Sequence, residues 1–336
     1  WDVGRVVALA AAPKGRRIAI ANHRNELLVG DLEAGQLALA DRSDCGRSED
    51  LAWSPDGAWI AYPFWTSARH CAIKLYEVAT GRTQLVTRPE FRDSAPAFDP
   101  SGRYLYFVSI RTYDPVYDNV QFELSFPRAA RPYLVALQSD ARPPFDPPPR
   151  GMRPPHEPKG DEEGAGGKAP PSLRIDLDGI ERRIAAFPVH EGRYGAIAAT
   201  PRHVLWTSFP LPGAHGRGGH KEGPARLEAF DLDNLRAETW VDKVDEFRIS
   251  ADSSTLLVRE GNRLRALDAA HKPEKKDDDD APSRASGWID LGRLRLSVEP
   301  RAEWRQMLRE VWRLQRDHFW VSDMSGVDWA EVYNRY

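Results

Sequence analysis

The 336-residue chain carries 47 Lys and Arg against 50 Asp and Glu, for a formal net charge of −3. Acidic and basic residues interleave along it, so no single-sign stripe offers a footprint for nucleic acid. With two cysteines it cannot be a disulfide scaffold, and no run of about 18 apolar residues is present to span a membrane.

The first residues, Trp1-Asp-Val-Gly-Arg-Val6, already read as the middle of a fold, and Tyr333-Asn-Arg-Tyr336 closes inside a helical pattern. We therefore expect a piece of a longer protein, with further blades upstream. A repeat follows from the start. Ala12-Pro-Lys-Gly15-Arg-Arg-Ile-Ala-Ile20 is echoed by Leu51-Ala-Trp-Ser-Pro-Asp-Gly57-Ala-Trp-Ile-Ala-Tyr62 and by Ala97-Phe-Asp-Pro-Ser-Gly102-Arg-Tyr-Leu-Tyr-Phe107. The turn glycines stand 42 and then 45 residues apart. Proline presets one dihedral of a tight turn and glycine accepts a positive one.

A third strand ending in a polar hairpin recurs as well. It is seen in Leu27–Gly35, Ile73–Gly81, Leu227–Asn234 and, more weakly, Leu264–Asp268, each leading to a short fourth strand such as Gln84–Thr87. Four short strands in roughly 40–45 residues make a propeller blade. The fold class expected is mainly β, an incomplete β-propeller of about five four-stranded blades over residues 1–299. Three insertions interrupt it. Residues 141–172 hold ten of the chain's 27 prolines, residues 211–224 are glycine-rich, and residues 269–286 contain four consecutive aspartates. Such segments bury too little apolar surface to offset their ordering entropy and are expected to be disordered.

The period changes at Pro300. Trp304, Met307, Leu308, Val311, Trp312, Leu314 and Phe319 recur at three- and four-residue steps, which predicts an amphipathic helix beginning at the proline. Gly326 interrupts it, and Asp328 with Glu331 reads as a capping box opening a second helix. Residues 300–336 are thus expected to open an α-helical domain.

Catalytic signatures are missing: the chain has no Gly-x-Ser-x-Gly elbow, no phosphate-binding loop and no His-Glu-x-x-His helix. His215 and His220 lack cysteine or carboxylate partners at ligand spacing, so no metal or other cofactor is expected. His318 follows Asp317, but adjacent helical residues point about 100° apart, so His318 reads as a helix-end histidine packed on tryptophans. Cys45 and Cys71 read as free, buried thiols in a reducing compartment, with a single Cys45–Cys71 pairing left open. One polar set stands at the starts of innermost strands, which line the channel of a propeller: Glu49 and Asp50, Arg92 and Asp93, Arg193 and Tyr194, Asp245 and Glu246. These are candidates for a charged channel mouth that selects peptides or other small charged ligands. They equally fit strand starts that are polar because they lie in turns.

Three longer runs resemble tricorn-type peptidases. They are Ile175-Asp-Leu-Asp-Gly-Ile-Glu-Arg-Arg-Ile-Ala-Ala-Phe-Pro-Val189, Phe122–Pro127 with Arg131–Val135, and Glu303–Trp320 with Met324–Trp329. The resemblance spans essentially the whole chain. It implies the later part of a second, seven-bladed propeller followed by the first helices of the domain behind it. It further implies a large cytoplasmic serine peptidase that assembles as a homo-oligomer, a hexamer in the family. Its substrates would be oligopeptides made by the proteasome or similar proteases. The family's Ser-His pair and its nucleophilic serine would lie downstream of Tyr336, so this chain is expected to be inactive alone and to act as a substrate-gating channel. The alternative left open is a non-enzymatic propeller scaffold for protein interactions, because fold alone does not settle function.

Overall fold

The structure is a computed structural model that describes residues 1–117, 124–126, 128–146, 173–210, 224–273, 281–321 and 323–336. Its strands group into five successive antiparallel blades. Blade 1 holds β1 (Val6–Ala11), β2 (Arg17–Asn22), β3 (Glu26–Asp31) and β4 (Gln36–Arg42). Blade 2 holds β5 (Ala52–Trp53), β6 (Trp59–Trp65), β7 (Cys71–Glu77) and β8 (Arg82–Leu85). Blade 3 begins with β9 (Arg92–Phe98) and β10 (Tyr104–Ile110) and projects a small hairpin, β11 (Val116–Tyr117) and β12 (Leu124–Ser125). It continues with β13 (Ala130–Ala136) and β14 (Ile184–Ala186). Blade 4 is β15 (Arg193–Ala199), β16 (His203–Phe209), β17 (Ala225–Asp231) and β18 (Arg236–Val244). Blade 5 has β19 (Glu246–Ile249), β20 (Thr255–Glu260) and β21 (Arg263–Asp268). Its fourth strand shrinks to one bridge between Arg265 and Trp288, flanked by the bonds Ala266 N–H to Gly287 O and Ile289 N–H to Leu264 O.

The core lies between blades, which explains why the second strands read as unbroken apolar runs. Successive side chains on a strand point to opposite faces. In β10, Leu105 and Phe107 join Ile73 and Leu75 of blade 2, while Tyr104, Tyr106 and Val108 join Trp206 and Phe230 of blade 4. Blades 1 and 2 meet through Leu27, Val29, Ile60 and Tyr62, and blades 4 and 5 through Leu205, Leu227, Phe247 and Leu256.

The repeated turn has a common hydrogen-bond pattern. In blade 2, Ser54 Oγ donates to Asp56 at 2.7 Å and accepts Trp59 N–H at 2.9 Å, and Gly57 takes φ 74°. In blade 5 the same turn is built by Ser250, Asp252 and Thr255, but Ser253 stands at the left-handed position with φ 59°. Loss of the glycine there hid this turn in the sequence.

Two of the expected insertions contract at their ends, because side chains there find partners. Within 141–172, the ring of Phe145 lies 5.2 Å from that of Phe187 and 6.4 Å from that of Phe230, and Tyr104 donates its hydroxyl to Arg142 O. Leu173 N–H returns to Asp56 at 2.8 Å. Within 269–286, Ala269 and Ser286 are buried, and Ser286 Oγ donates to Ala281 O at 2.7 Å. Residues 147–172, 211–223 and 274–280 lie outside the described residues, as do His215 and His220.

Helix α1 (Pro300–His318) starts on its proline, and Asp328 accepts Glu331 N–H at 2.9 Å to cap helix α2 (Trp329–Arg335), as its sequence predicted. The two helices are joined by reciprocal bonds. Trp312 Nε1 donates to Trp329 O at 2.6 Å and Trp329 Nε1 to Trp312 O at 3.0 Å, with the rings stacked. His318 is not packed on tryptophans: it is exposed, and its ring lies 6.4 Å from that of His23 in blade 1. No helix among the described residues is long and apolar enough to cross a membrane.

Candidate functional site

The innermost strands β5, β9, β15 and β19 run side by side. Pairing slips against the neighbouring strand in β1 (between Val6 and Ala8), β9 (opposite Tyr106 to Val108) and β15 (between Tyr194 and Ile197). A bulge places two residues against one, bends the strand and re-aims its side chains. The one in β9 centres on Ala95, at φ 50°, whose N–H is bonded to the Asp50 carboxylate at 3.0 Å. Asp50 therefore ties blade 2 to the bend in blade 3. In β15 the bend falls beside Gly195, where a Cβ would come 2.7 Å from Thr207 Oγ1.

The other candidates separate into distinct roles. Glu49 is exposed. The Arg92 guanidinium lies 5.2 Å from the Trp65 ring, and that of Arg193 5.7 Å from Phe209. Tyr194 is half-buried, donates its hydroxyl to His190 O at 2.7 Å, and has its pKa pushed up to about 12, chiefly by burial. In blade 5, Asp245 accepts Gly261 N–H at 2.6 Å, and Glu246 lies 2.9 Å from Arg248 and 3.5 Å from Arg259.

Asp93 is no channel-mouth side chain. It is fully buried, receives the Ser109 hydroxyl, and has Arg111 at 3.5 Å. Its Oδ2 has no hydrogen-bond partner among the described residues, and burial pushes the carboxyl above its usual range. Register explains the cluster: Asp93, Ser109 and Arg131 are direct cross-strand partners on one face, and Arg111 follows two residues after Ser109. Sequence reasoning did not single out Arg111, whose guanidinium sits 4.7 Å from the Phe91 ring and 4.5 Å from Tyr133. It also did not single out Arg131, which pairs with Glu191. Both stand away from innermost strands, and the only local signal is an arginine at the edge of an apolar run.

The site offers charged side chains and aromatic platforms but no assembled acid–base pair. Ser67 Oγ lies 3.0 Å from His70 Nδ1, yet that oxygen also accepts the N–H groups of Arg69 and His70, which makes it a local turn on an exposed loop. No group of three or more His, Cys, Asp or Glu among the described residues could hold a metal ion. The two thiols are free but differ: Cys71 is buried, whereas Cys45 is exposed, contrary to the expectation of two buried thiols. Burial, with Asp93 nearby, pushes the Cys71 thiol up to about 12. Alkylation of the folded protein at pH 8 is therefore expected to modify Cys45 and spare Cys71, with both modified in urea, as read by peptide mass spectrometry.

This arc of bulged blades followed by helices defines a propeller that hands over to a helical domain, and comparison with known proteins gives it a family. Residues 1–270 match the family profile described as the tricorn protease second beta propeller domain, and residues 300–336 match the tricorn protease C1 domain. The chain belongs to the tricorn protease family. It is 37% identical over its whole length to tricorn protease homolog 1 of Streptomyces coelicolor, covering 31% of that protein. It is 33% identical over its whole length to the tricorn protease homolog of Saccharolobus solfataricus, covering 29% of it. A crystal structure of the tricorn protease superposes over the full chain with a TM-score of 0.77 at 24% identity, with 30% of that longer chain covered. The chain thus spans about a third of the length of these relatives.

Proposed function

We propose that this chain is the substrate-gating propeller of a tricorn-like serine peptidase, carried in a homo-oligomeric, cytoplasmic assembly that trims short peptides released by the proteasome or similar proteases. The observation that carries the reading is the order of the two matches, second propeller over residues 1–270 then C1 over residues 300–336, within a match to tricorn homologues over the whole chain. On this reading the chain supplies no catalytic residue; the serine nucleophile and its histidine base belong to segments after Tyr336. Its own contribution is selection. The starts of the innermost strands carry Glu49, Arg92, Arg193, Asp245 and Glu246, which on this reading line a passage that admits an extended peptide and excludes a folded protein. Asp50, Asp93 and Tyr194 hold those starts in place. A ring of fixed charges in a confined passage acts on the rate of peptide entry more than on the chemical step.

The test is a fluorogenic peptide assay on the complete protein, on its nucleophile serine-to-alanine variant, and on the mouth variant Arg92→Glu with Arg193→Glu. Loss of cleavage in the serine variant is expected. The mouth variant is expected to change kcat/KM for peptides of six or more residues several-fold while leaving a single-residue amide substrate unchanged. Equal effects on long and short substrates would sink the gating role. A complete protein that cleaves nothing would sink the peptidase.

A further inference from the structure

The end of α1 meets the propeller at one corner. There, the turn between β2 and β3 brings His23 and Arg24 against the N-terminal residues Asp2 to Arg5 and against Arg316, Asp317 and His318. Arg24 grips Asp2 with two bonds, at 2.7 and 3.2 Å, and its Nε lies 3.5 Å from Glu26. Gly4, at φ 62°, leaves no room for a side chain: a Cβ there would lie 2.8 Å from Arg24 and 2.9 Å from His23. The Asp317 side chain is only 7% exposed; Arg316 Nε donates to its Oδ1 at 2.9 Å, and its Oδ2 has no hydrogen-bond partner among the described residues. His23 Nδ1 accepts the backbone N–H of Arg5 at 3.0 Å, which places the ring proton on Nε2.

That bond exists only while the imidazole is neutral. A proton on Nδ1 would face the Arg5 N–H and remove the acceptor. We propose that this corner is a proton-sensitive latch: neutral His23 holds residues Asp2 to Arg5 to the β2–β3 turn of blade 1, and protonation of His23 releases them. The groups facing His23 set the balance. Burial and the cations Arg24 and Arg5 disfavour a charged ring, Asp317 favours it, and the net effect holds the His23 pKa below its ordinary value. The folded state therefore binds the proton more weakly than the unfolded chain. Stability at this corner is present above the ordinary histidine value and is lost as pH falls below it. His318, with its ring 6.4 Å from that of His23, is the other imidazole at the corner. Any consequence for catalysis would rest on the reading of this chain as part of a peptidase; the latch itself does not.

Hydrogen exchange on the whole protein, corrected for the intrinsic pH dependence, tests it. Protection of the Arg5 amide is expected to fall at least threefold between pH 7.5 and pH 5.5. His23→Asn, whose Oδ1 can accept the same N–H without titrating, is expected to abolish that fall. His318→Gln is expected to keep it. Asp317→Asn removes a carboxylate that favours a charged ring in the closed corner, so the closed state should bind the proton still more weakly and the fall in protection should be larger. The His23 ring-proton resonance of the unaltered protein gives a reading independent of any variant, with a midpoint expected below about 6.5. The latch is overturned by protection that ignores pH, by His318→Gln rather than His23→Asn abolishing the fall, by a smaller fall in Asp317→Asn, or by a His23 midpoint at or above the ordinary value.

Discussion

Replacing Trp206 with alanine is expected to cost about 3–5 kcal/mol, the range for deleting a large aromatic side chain from a packed core. Trp206 is fully buried at the seam between blades 3 and 4, with ring centroids 5.4 Å from Phe187, 6.0 Å from Phe230 and 6.1 Å from Tyr194. The seam is made of rigid rings on bonded strands, so it cannot collapse to fill the space. A second loss adds to the cavity. The indole N–H donates to Glu228 Oε2 at 2.9 Å, while the other carboxylate oxygen receives Ser208 at 2.8 Å. Trp206→Phe keeps most of the apolar contact and removes only that donor, so it should cost about 1–2 kcal/mol. Urea unfolding followed by circular dichroism separates the two terms. An alanine variant that loses under about 1 kcal/mol would show that blades 3 and 4 are not packed through this ring.

Whether a blade was visible in the sequence depended on how much of its turn chemistry stayed local. Gly57 and Gly102 announce the first hairpins of blades 2 and 3 because a positive φ favours glycine, whereas Ser253 makes the same turn in blade 5 without that mark. The β13 strand was harder to read because Pro132 interrupts it and a proline-rich stretch follows its end. The fourth strand of blade 5, reduced to the Arg265–Trp288 bridge, has no pattern to detect. Site residues were less legible for a different reason. The polar pairs at strand starts were visible, but which member turns inward is fixed by neighbouring blades and by bulges that reset strand parity. Asp93 shows this: nothing within Arg92-Asp93-Ser94 says that it is paired with Ser109 and covered by blade 2. The Asp50 bond to Ala95 joins residues 45 apart and follows only from the packing of one blade on the next.

Removing the Asp41 carboxylate should unpin the seam between blades 1 and 2. Asp41 Oδ2 receives the Tyr62 hydroxyl at 2.6 Å and the Lys74 ammonium at 2.6 Å, and that ammonium also lies 4.1 Å from the Phe64 ring. Tyr62 is fully buried, and burial together with the Asp41 carboxylate holds its phenol far above the ordinary range, so it remains a donor at every accessible pH. Asp41→Ala leaves that donor buried without an acceptor and leaves Lys74 facing an aromatic wall. The Lys74 and Asp41 side chains retain 15% and 16% exposure, so water can partly replace what is lost. The expected cost is about 2–3 kcal/mol, below the 3–5 kcal/mol of a fully buried pair. Asp41→Asn keeps an acceptor for Tyr62 and should cost less. A double-mutant cycle with Lys74→Met isolates the ionic contribution, and a coupling of about 1 kcal/mol or more is expected for groups in direct contact. Strict additivity would mean that Leu27, Val29, Ile60 and Tyr62 hold the seam alone and that the lysine only covers it from solvent.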